Sequence, residues 1–368
     1  MRSLEQAIRE AAQSLGFVLT GFARIARLDD REEFFRRWLE DGRAGEMAWL
    51  AREPERRLDP RRLDPRLRSV ISLAFPYTPP VPPRLDWRTE LRGRIAAYAL
   101  GPDYHDTMLQ MARRLAARLV ELRPGARTRI YVDTGPVFER EWAAAARLGW
   151  FGRNTNLINV HHGSYFFLAE IFTDVEFPSA IAPYRDHCGK CRRCLELCPT
   201  GALADGLLID SRRCISYLTI EHRGSIPTEL RPGLGNWIFG CDICQEVCPW
   251  NRDDGAAPAN AELMPSLPEL MDLDETGFRR RFGKTAIARA RRRGLLRNAA
   301  VALGNSGNPA AVPVLAKSLA NDPEPIVRAH AAWALGQIAD GAAARELKRA
   351  IAREPDPEVM REIQQALG

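Results

Sequence analysis

CGKCRRCLELCP, residues 188–199, places four cysteines within eleven residues and a proline directly after the last. A second run, CDICQEVCPW at 241–250, repeats the pattern with one cysteine fewer. All eight cysteines of the 368-residue chain lie between Cys188 and Cys248. A disulfide framework would spread its cysteines more widely, and a reducing compartment would not keep one. Thiols at this density hold metal instead, and two metals compete. Zinc ribbons offer two well-separated C-x-x-C pairs. The first run here is C-x2-C-x2-C-x3-C-P, the spacing of bacterial two-cluster ferredoxins. Three cysteines of such a loop grip one iron–sulfur cubane, and a helical turn carries the fourth to the other. The second run lacks a ligand, and Cys214 is the one cysteine left to supply it. The expected sets are Cys188, Cys191, Cys194 and Cys248 for one [4Fe-4S] cluster, and Cys198, Cys214, Cys241 and Cys244 for the other.

Two adjacent cubanes conduct electrons, and conduction implies chemistry at one end. Electron transfer alone does not need the long segment before Cys188. Residues 1–180 alternate helical and extended patterns. Leu4, Ile8, Ala11 and Leu15 mark one helix face, and His105 to Leu122 reads as another helix. FVLTGFARI (17–25), SVISLAF (69–75), RIAAYAL (94–100), RIYVDT (129–134), LINV (157–160) and SYFFLAEIFT (164–173) read as strands. A helix is expected from Pro136 to Leu148, with proline in its first turn. The fold class is therefore a layered α/β (α+β) domain. Neither a G-x-G-x-x-G nor a G-x-x-x-x-G-K-[ST] motif is present. Asp133 ends a strand just before a helix, where ligands gather in open sheets and where aspartate also caps turns. His161 and His162 are adjacent, a pairing that ordinary packing or solvation explains as well as chemistry does.

The net charge is +6 and the pI about 9.0. From Arg279 to Arg297 there are nine Lys or Arg and no Asp or Glu. Such a run either attracts a polyanion or forms a solvated helix face. No apolar stretch is long enough to span a bilayer, and the first residues lack a signal-peptide core, so a cytoplasmic location is expected. ALG recurs at 302–304, 334–336 and 366–368, a period of 32 residues. PEPIVRAHAAW and PDPEVMREIQQ precede the last two copies in register. Two helices per unit make a HEAT-like array, too small to hold a core alone and expected to dock on the rest. The division expected is 1–180 for chemistry, 181–260 for a ferredoxin-like cluster domain, and 261–368 for basic linker and repeats.

Several segments together resemble one family. YVDTGPVFEREWAAAARLGWFGRNTNLI (131–158), AFPY (74–77), GPDYH (101–105), GSYFFLAEI (163–171) and RRCISYLTIEHRG (212–224) are similar to segments of epoxyqueuosine reductases. The resemblance spans essentially the whole chain. It implies cobalamin bound in the N-terminal domain, beside two [4Fe-4S] clusters. It implies reduction of epoxyqueuosine to queuosine at the wobble base of tRNA, the last step of queuosine synthesis. It implies Asp133 as proton donor, with a pKa raised by burial against the corrin. Corrin contacts carried over by matching segments are Arg57, Asn154, Ser164 and Tyr165, with Ser216 and Tyr217 after Cys214. The D-x-H-x-x-G motif that gives cobalt a histidine ligand is absent, so no such ligand is expected. Arg289, Arg291, Arg292, Arg293 and Arg297 are the candidate tRNA phosphate contacts. A low-potential electron donor is required, and a monomer is expected. Two rivals remain: a reductive dehalogenase-like enzyme acting on a small molecule, which would need no basic run or repeats, and an electron-transfer or scaffold protein, which would need no large N-terminal domain.

Overall fold

A computed structural model describes residues 3–77, 79, 83–178, 184–251 and 261–368. Four antiparallel strands form the N-terminal sheet, in the order Leu19–Arg24, Ser69–Pro76, Phe166–Thr173, Thr128–Tyr131. Strand alternation sends side chains to opposite faces. Ala169 and Ile171 of the central strand meet Ile8 and Ala12 of helix Leu4–Ser14, and Met108, Leu115 and Leu119 of helix Tyr104–Leu122. Phe166 and Phe172 face the other way, onto Trp142 and Ala143 of helix Glu139–Ala145. Both faces are covered, which is why SVISLAF is an almost unbroken apolar run.

Some expected elements are shorter. RIAAYAL is a strand over Arg94–Ile95 alone, paired parallel with Trp237–Phe239, and then turns through a 3-10 helix at Ala97–Ala99. Its small alanines let it turn: Gly240 packs so closely on Ala96 that an added Cβ would sit 2.5 Å from it. The Ala97 N–H donates to Asp242 Oδ2 at 2.7 Å. LINV contributes only Leu157–Ile158, in a hairpin with Trp150–Phe151. The helix expected from Pro136 begins at Glu139, because the chain first bends through Asp133 at φ 57° and Gly135. A Cβ on Gly135 would lie 2.2 Å from the Tyr131 ring.

Helices Arg291–Ser306, Val312–Asn321, Pro325–Ile338, Gly341–Ile351 and Pro357–Leu367 form the C-terminal array. Pro325 and Pro357 open their helices, where the missing N–H costs nothing, and Asp356 caps by accepting the Glu358 and Val359 N–H groups. The ALG period also has a packing cause. Gly304 rests on Ala334, and Gly336 rests on Ala366, so each repeat's glycine meets the alanine of the next.

The expected three-part division meets a core that crosses it. Leu91 and Ile95, then Leu218, Trp237 and Phe239, then Leu295, Leu303, Leu335 and Ile363 belong to one continuous apolar cluster. Cluster segment and repeats therefore fold on common ground. Arg297 and Asn298 fasten them. Arg297 donates to the carbonyls of Leu218 (2.6 Å), His222 (2.9 Å) and Gly224 (2.7 Å). Asn298 donates to those of Thr219 (2.9 Å) and Ile238 (2.8 Å).

The glycine–alanine contact makes a prediction. Gly→Ala inside a helix ordinarily stabilises by about 0.5–1 kcal/mol. At Gly304 the new methyl would lie 2.8 Å from the Ala334 Cα. Gly304→Ala should instead destabilise, by about 1–3 kcal/mol. Gly294→Ala in the same helix meets only Ala290 at 3.7 Å and should be neutral or stabilising in the same denaturant titration.

Candidate functional site

The eight thiols sort into two neighbourhoods. The Cys194 thiol feels Cys248, Cys188 and Cys191, and Cys248 feels Cys188 and Cys191. Cys241 feels Cys244 and Cys214, and Cys214 feels Cys198; Cys244 feels Cys214 first, then Cys194 across the gap, then Cys198. None is in a disulfide. Among the described residues no three His, Cys, Asp or Glu side chains converge as chelation of one bare ion needs. A cubane, whose corners stand apart, makes no such demand. The donor set fits two cubanes: eight thiols, four to each neighbourhood. Backbone and indole N–H groups already point at the sulfurs. Ala202 N donates to Cys198 Sγ at 3.3 Å, and Trp150 Nε1 reaches Cys188 Sγ at 3.4 Å from the α/β domain. The N–H groups of Ser216 and Tyr217 turn to Cys214. Burial, then the neighbouring thiols, push Cys194 up to about 11, so iron must displace protons as it binds.

Asp133 stands at the other end of the site. Its φ of 57° is unusual for a residue with a Cβ and turns its side chain out of the sheet. His105 Nε2 donates to Asp133 Oδ2 at 3.1 Å, and His105 Nδ1 donates to Asp103 Oδ1 at 2.6 Å. Asp103 caps helix Tyr104–Leu122, and its N–H donates to the Lys284 carbonyl at 3.0 Å, which ties the basic linker to this corner. Crowding pushes the Asp133 carboxyl up. The His105 hydrogen bond and charge, the Tyr104 hydroxyl and the Arg289 charge pull it down, and the net direction is down. The side chain is 61% solvent-exposed, so the pairing outweighs the crowding. The chain's own residues favour the ionised form of Asp133, whereas the expected upward shift belonged to burial against a corrin. Burial lowers the His105 pKa, but its two carboxylates raise it further, to about 9. At neutral pH the proton of this pair is on His105.

Between Asp133 and the thiols runs a wall of rings. Tyr104 stacks on Phe167 at 4.0 Å and on His105 at 4.1 Å. Tyr98 meets Tyr104 and Phe167 edge-on, and Tyr77 meets Phe167 and Tyr165 at 4.7 and 5.6 Å. The Tyr77 hydroxyl bonds Gln245, one residue from Cys244. Burial pushes Tyr77, Tyr98 and Tyr104 upward, so these phenols stay neutral. A broad apolar surface with one acid at its edge and thiols at its foot fits a planar macrocycle.

The candidate corrin residues are not all in one place. Asn154 Nδ2 donates to the Cys244 carbonyl at 3.1 Å. Ser164 N donates to Asn251 Oδ1 at 2.7 Å, and its hydroxyl to Gln245 at 2.9 Å. These residues, with Tyr165, join the α/β domain to the second cysteine loop. Arg57 lies under the Asp133 turn, donating to the Gly135 carbonyl at 3.3 Å, with its buried Nε unpartnered among the described residues. Ser216 and Tyr217 have other work: their N–H groups cradle Cys214, and the buried Tyr217 hydroxyl accepts the Glu46 N–H at 2.7 Å. His162 lines a surface recess with Arg9 and Phe17, apart from the residues around Asp133.

The arginines divide as well. Arg289 and Arg291 are exposed and Arg293 is half-buried. Arg292 is buried and paired with Asp322 at 2.5 Å, and Arg297 is buried against backbone carbonyls. A guanidinium spent inside the core cannot reach a phosphate, which removes Arg292 and Arg297 from the candidate contacts. Arg223 joins the set: Arg291, Arg289 and Arg293 crowd it, and it donates to the Arg289 carbonyl at 3.0 Å. Arg291 adopts φ 60° and ψ 165°, a conformation nearly confined to glycine. Arg289 pairs with Glu221 at 2.9 Å and its charge is felt at Asp133, so the cationic patch borders the acid. His105 and Arg223 were missed from sequence. The first stood in GPDYH behind a helix cap; the second lies 66 residues from Arg289.

Three family models match the chain. Residues 57–134 match the one described as Epoxyqueuosine reductase QueG, DUF1730. Residues 187–251 match a 4Fe-4S double cluster binding domain, and 285–368 match HEAT repeats. An epoxyqueuosine reductase of Pseudomonas aeruginosa is 40% identical over 342 residues, 89% of this chain and 92% of that one. The Escherichia coli epoxyqueuosine reductase is 37% identical, with 83% and 82% covered. A Bacillus subtilis epoxyqueuosine reductase structure, with its aspartate catalytic loop swung out of the active site, superimposes with TM-score 0.91 at 32% identity, covering 99% and 98%. One with an epoxyqueuosine-modified tRNA stem loop superimposes at TM-score 0.90, also at 32% identity, with the same coverage. Two iron–sulfur clusters, a mixed α/β domain and HEAT repeats go with these matches, and the chain belongs to the epoxyqueuosine reductase family.

Proposed function

We propose that the chain removes the epoxide oxygen of epoxyqueuosine carried on tRNA, leaving the alkene of queuosine, with cobalamin as the reactive group. The observation that carries this reading is one continuous site: paired cluster thiols, an aromatic wall, and an acid bordered by a cluster of arginines, of which Arg289, paired with Glu221, stands nearest the acid. Opening an epoxide to an alkene consumes two electrons and two protons and releases water. Cobalamin would supply a reduced metal that side chains cannot imitate, and the two clusters would deliver its electrons singly. Tyr77, Tyr98, Tyr104 and Phe167 would face the macrocycle, with Asn154, Ser164 and Tyr165 at the seam beside it and Arg57 under the Asp133 turn. His105 holds a proton against Asp133, and the pair hands it to the departing oxygen through Asp133. Arg223, Arg289, Arg291 and Arg293 draw the phosphates toward the acid, and the target base is turned into the cleft. The relative solved with an epoxyqueuosine-modified tRNA stem loop supports tRNA as the substrate. The two electrons come from outside the chain, and we propose a low-potential donor partner to supply them. We propose a monomer in the cytoplasm; among the described residues no helix is long and apolar enough to cross a membrane.

Asp133→Asn should keep cofactors and clusters and lose about 10²–10⁴-fold in turnover, the usual worth of a general acid. The proton on His105 is present below its pKa and lost above it, so kcat should fall as pH rises through about 9. His105→Gln should lower kcat and flatten that limb of the pH profile. Replacing Arg291 and Arg293 together by glutamate should weaken tRNA binding and reduce its salt slope by about one per lost contact, without changing the optical spectrum. Arg292→Glu should unfold the repeats instead, because it sets two buried carboxylates together. Cys214→Ser should leave about half the iron and acid-labile sulfide, since the Cys188, Cys191, Cys194 and Cys248 set does not use it.

A further inference from the structure

Glu170 is an acid in the middle of an apolar strand. It is fully buried, and strand register sets it between Ser72 and Tyr131 on the face covered by helix Glu139–Ala145. Neither of its oxygens receives a bond from any N–H or hydroxyl among the described residues, and the Ser72 hydroxyl opposite is also unpartnered. What Glu170 does meet is the carboxyl of Glu139, at hydrogen-bonding range. Two carboxylates in a buried contact repel and are both desolvated, so they cannot both ionise; a proton between them turns repulsion into a hydrogen bond. Glu139 has a second contact. Its Oε1 accepts the backbone N–H of Asp133, the residue held at φ 57°. The carboxyl pair and the strained acid loop are thus joined end to end.

We propose that Glu139 and Glu170 share one proton, and that this pair is a latch holding the Asp133 loop in place and releasing it when the proton is lost. The proposal rests on Asp133 being the acid of the reaction, and it makes Glu139 and Glu170 positioning residues. With the proton present, Glu170 donates to Glu139, and Glu139 keeps its other oxygen for the Asp133 N–H. Without it, two buried charges face each other, and Glu139, the less buried of the two, is driven outward with the loop. Around the pair, burial acts first and the Asp133 charge second, both against ionisation of Glu139. Strand Ser69–Pro76 offers only Ser72, and strand Thr128–Tyr131 only Tyr131. Helix Tyr104–Leu122 brings Tyr104 and, through Asp133, His105. Arg140, next along the helix, partly offsets the burial of Glu139 but turns its guanidinium to the Thr155 carbonyl. The Bacillus subtilis relative with its catalytic loop swung out shows that such a loop can leave its site.

The test uses the cluster-loaded chain and two readouts besides turnover. Infrared difference spectra across a pH titration should show the C=O stretch of a buried protonated carboxyl that disappears at alkaline pH and is missing from Glu170→Gln. Amide exchange at Asp133 and Thr134, corrected for intrinsic base catalysis, should rise about tenfold or more over the same range in wild type. In Glu170→Gln, whose amide donates to Glu139 without needing a proton, it should stay slow throughout. In Glu139→Ala it should be fast throughout. Glu139→Gln repeats the arm if the Glu170 variant folds poorly: its amide can donate to Glu170 while its carbonyl accepts from Asp133. A wild type without the carboxyl band, or a Gln variant whose loop exchange follows pH as wild type does, overturns the latch. Full turnover by Asp133→Asn alongside the expected band and exchange would remove the acid role and leave the latch standing.

Discussion

Two neighbouring side chains, Arg297 and Asn298, bind the architecture together. They fill the backbone carbonyls of a segment that runs from just after Cys214 to just before Cys241. Unsatisfied carbonyls in that position would each be costly. A repeat helix is therefore the structural floor of one cysteine neighbourhood, and the repeats cannot be regarded as an appendage. Burial, then the nearby arginines, push the Arg297 guanidinium down to about 9, the Glu46 charge opposing them; among the described residues its hydrogen bonds go to backbone carbonyls and the Asn298 amide oxygen. The thiols need that floor, because Cys214 stands 27 positions before Cys241.

How much of this was legible in the sequence follows from what kind of signal each part carries. The thiols were legible because ligand spacing is local chemistry: C-x2-C-x2-C fits a cubane wherever the loop lies. The ALG repeat was legible as a period, but its cause, a glycine of one unit seated on an alanine of the next, needed coordinates. SVISLAF read correctly as a strand, since burial on both faces leaves an apolar run. RIAAYAL read wrongly, because short alanines satisfy a strand pattern and a tight 3-10 turn equally well.

The site itself was half legible. Asp133 was visible through its segment, but its protonation was not. That depends on His105, which a helix cap brings to it from 28 positions away. The arginine run shows the limit of charge counting. Arg291, Arg292 and Arg293 are adjacent letters, yet Arg291 stands at φ 60° at the helix start and the helix turns the next two apart by about 100°, so they are exposed, buried and half-buried in turn. Burial then assigns Arg292 to an ion pair with Asp322 and leaves Arg291 and Arg293 open to solvent in whole or part. Glu170 was visible as an acid in SYFFLAEIFT, though nothing local could name Glu139 as its companion.

The close seating of Gly304 on Ala334 and Gly336 on Ala366 has a mechanical consequence. Helices whose backbones touch have no side-chain cushion between them, so the array resists shear and bending. Its first helix carries Arg291 and Arg293, and the preceding linker is tied at Lys284 to the cap that holds His105. The span from Arg291 and Arg293 to Asp133 is then a fixed length, a gauge built into the protein, and under the proposed function a bound strand would have to offer its base at that distance.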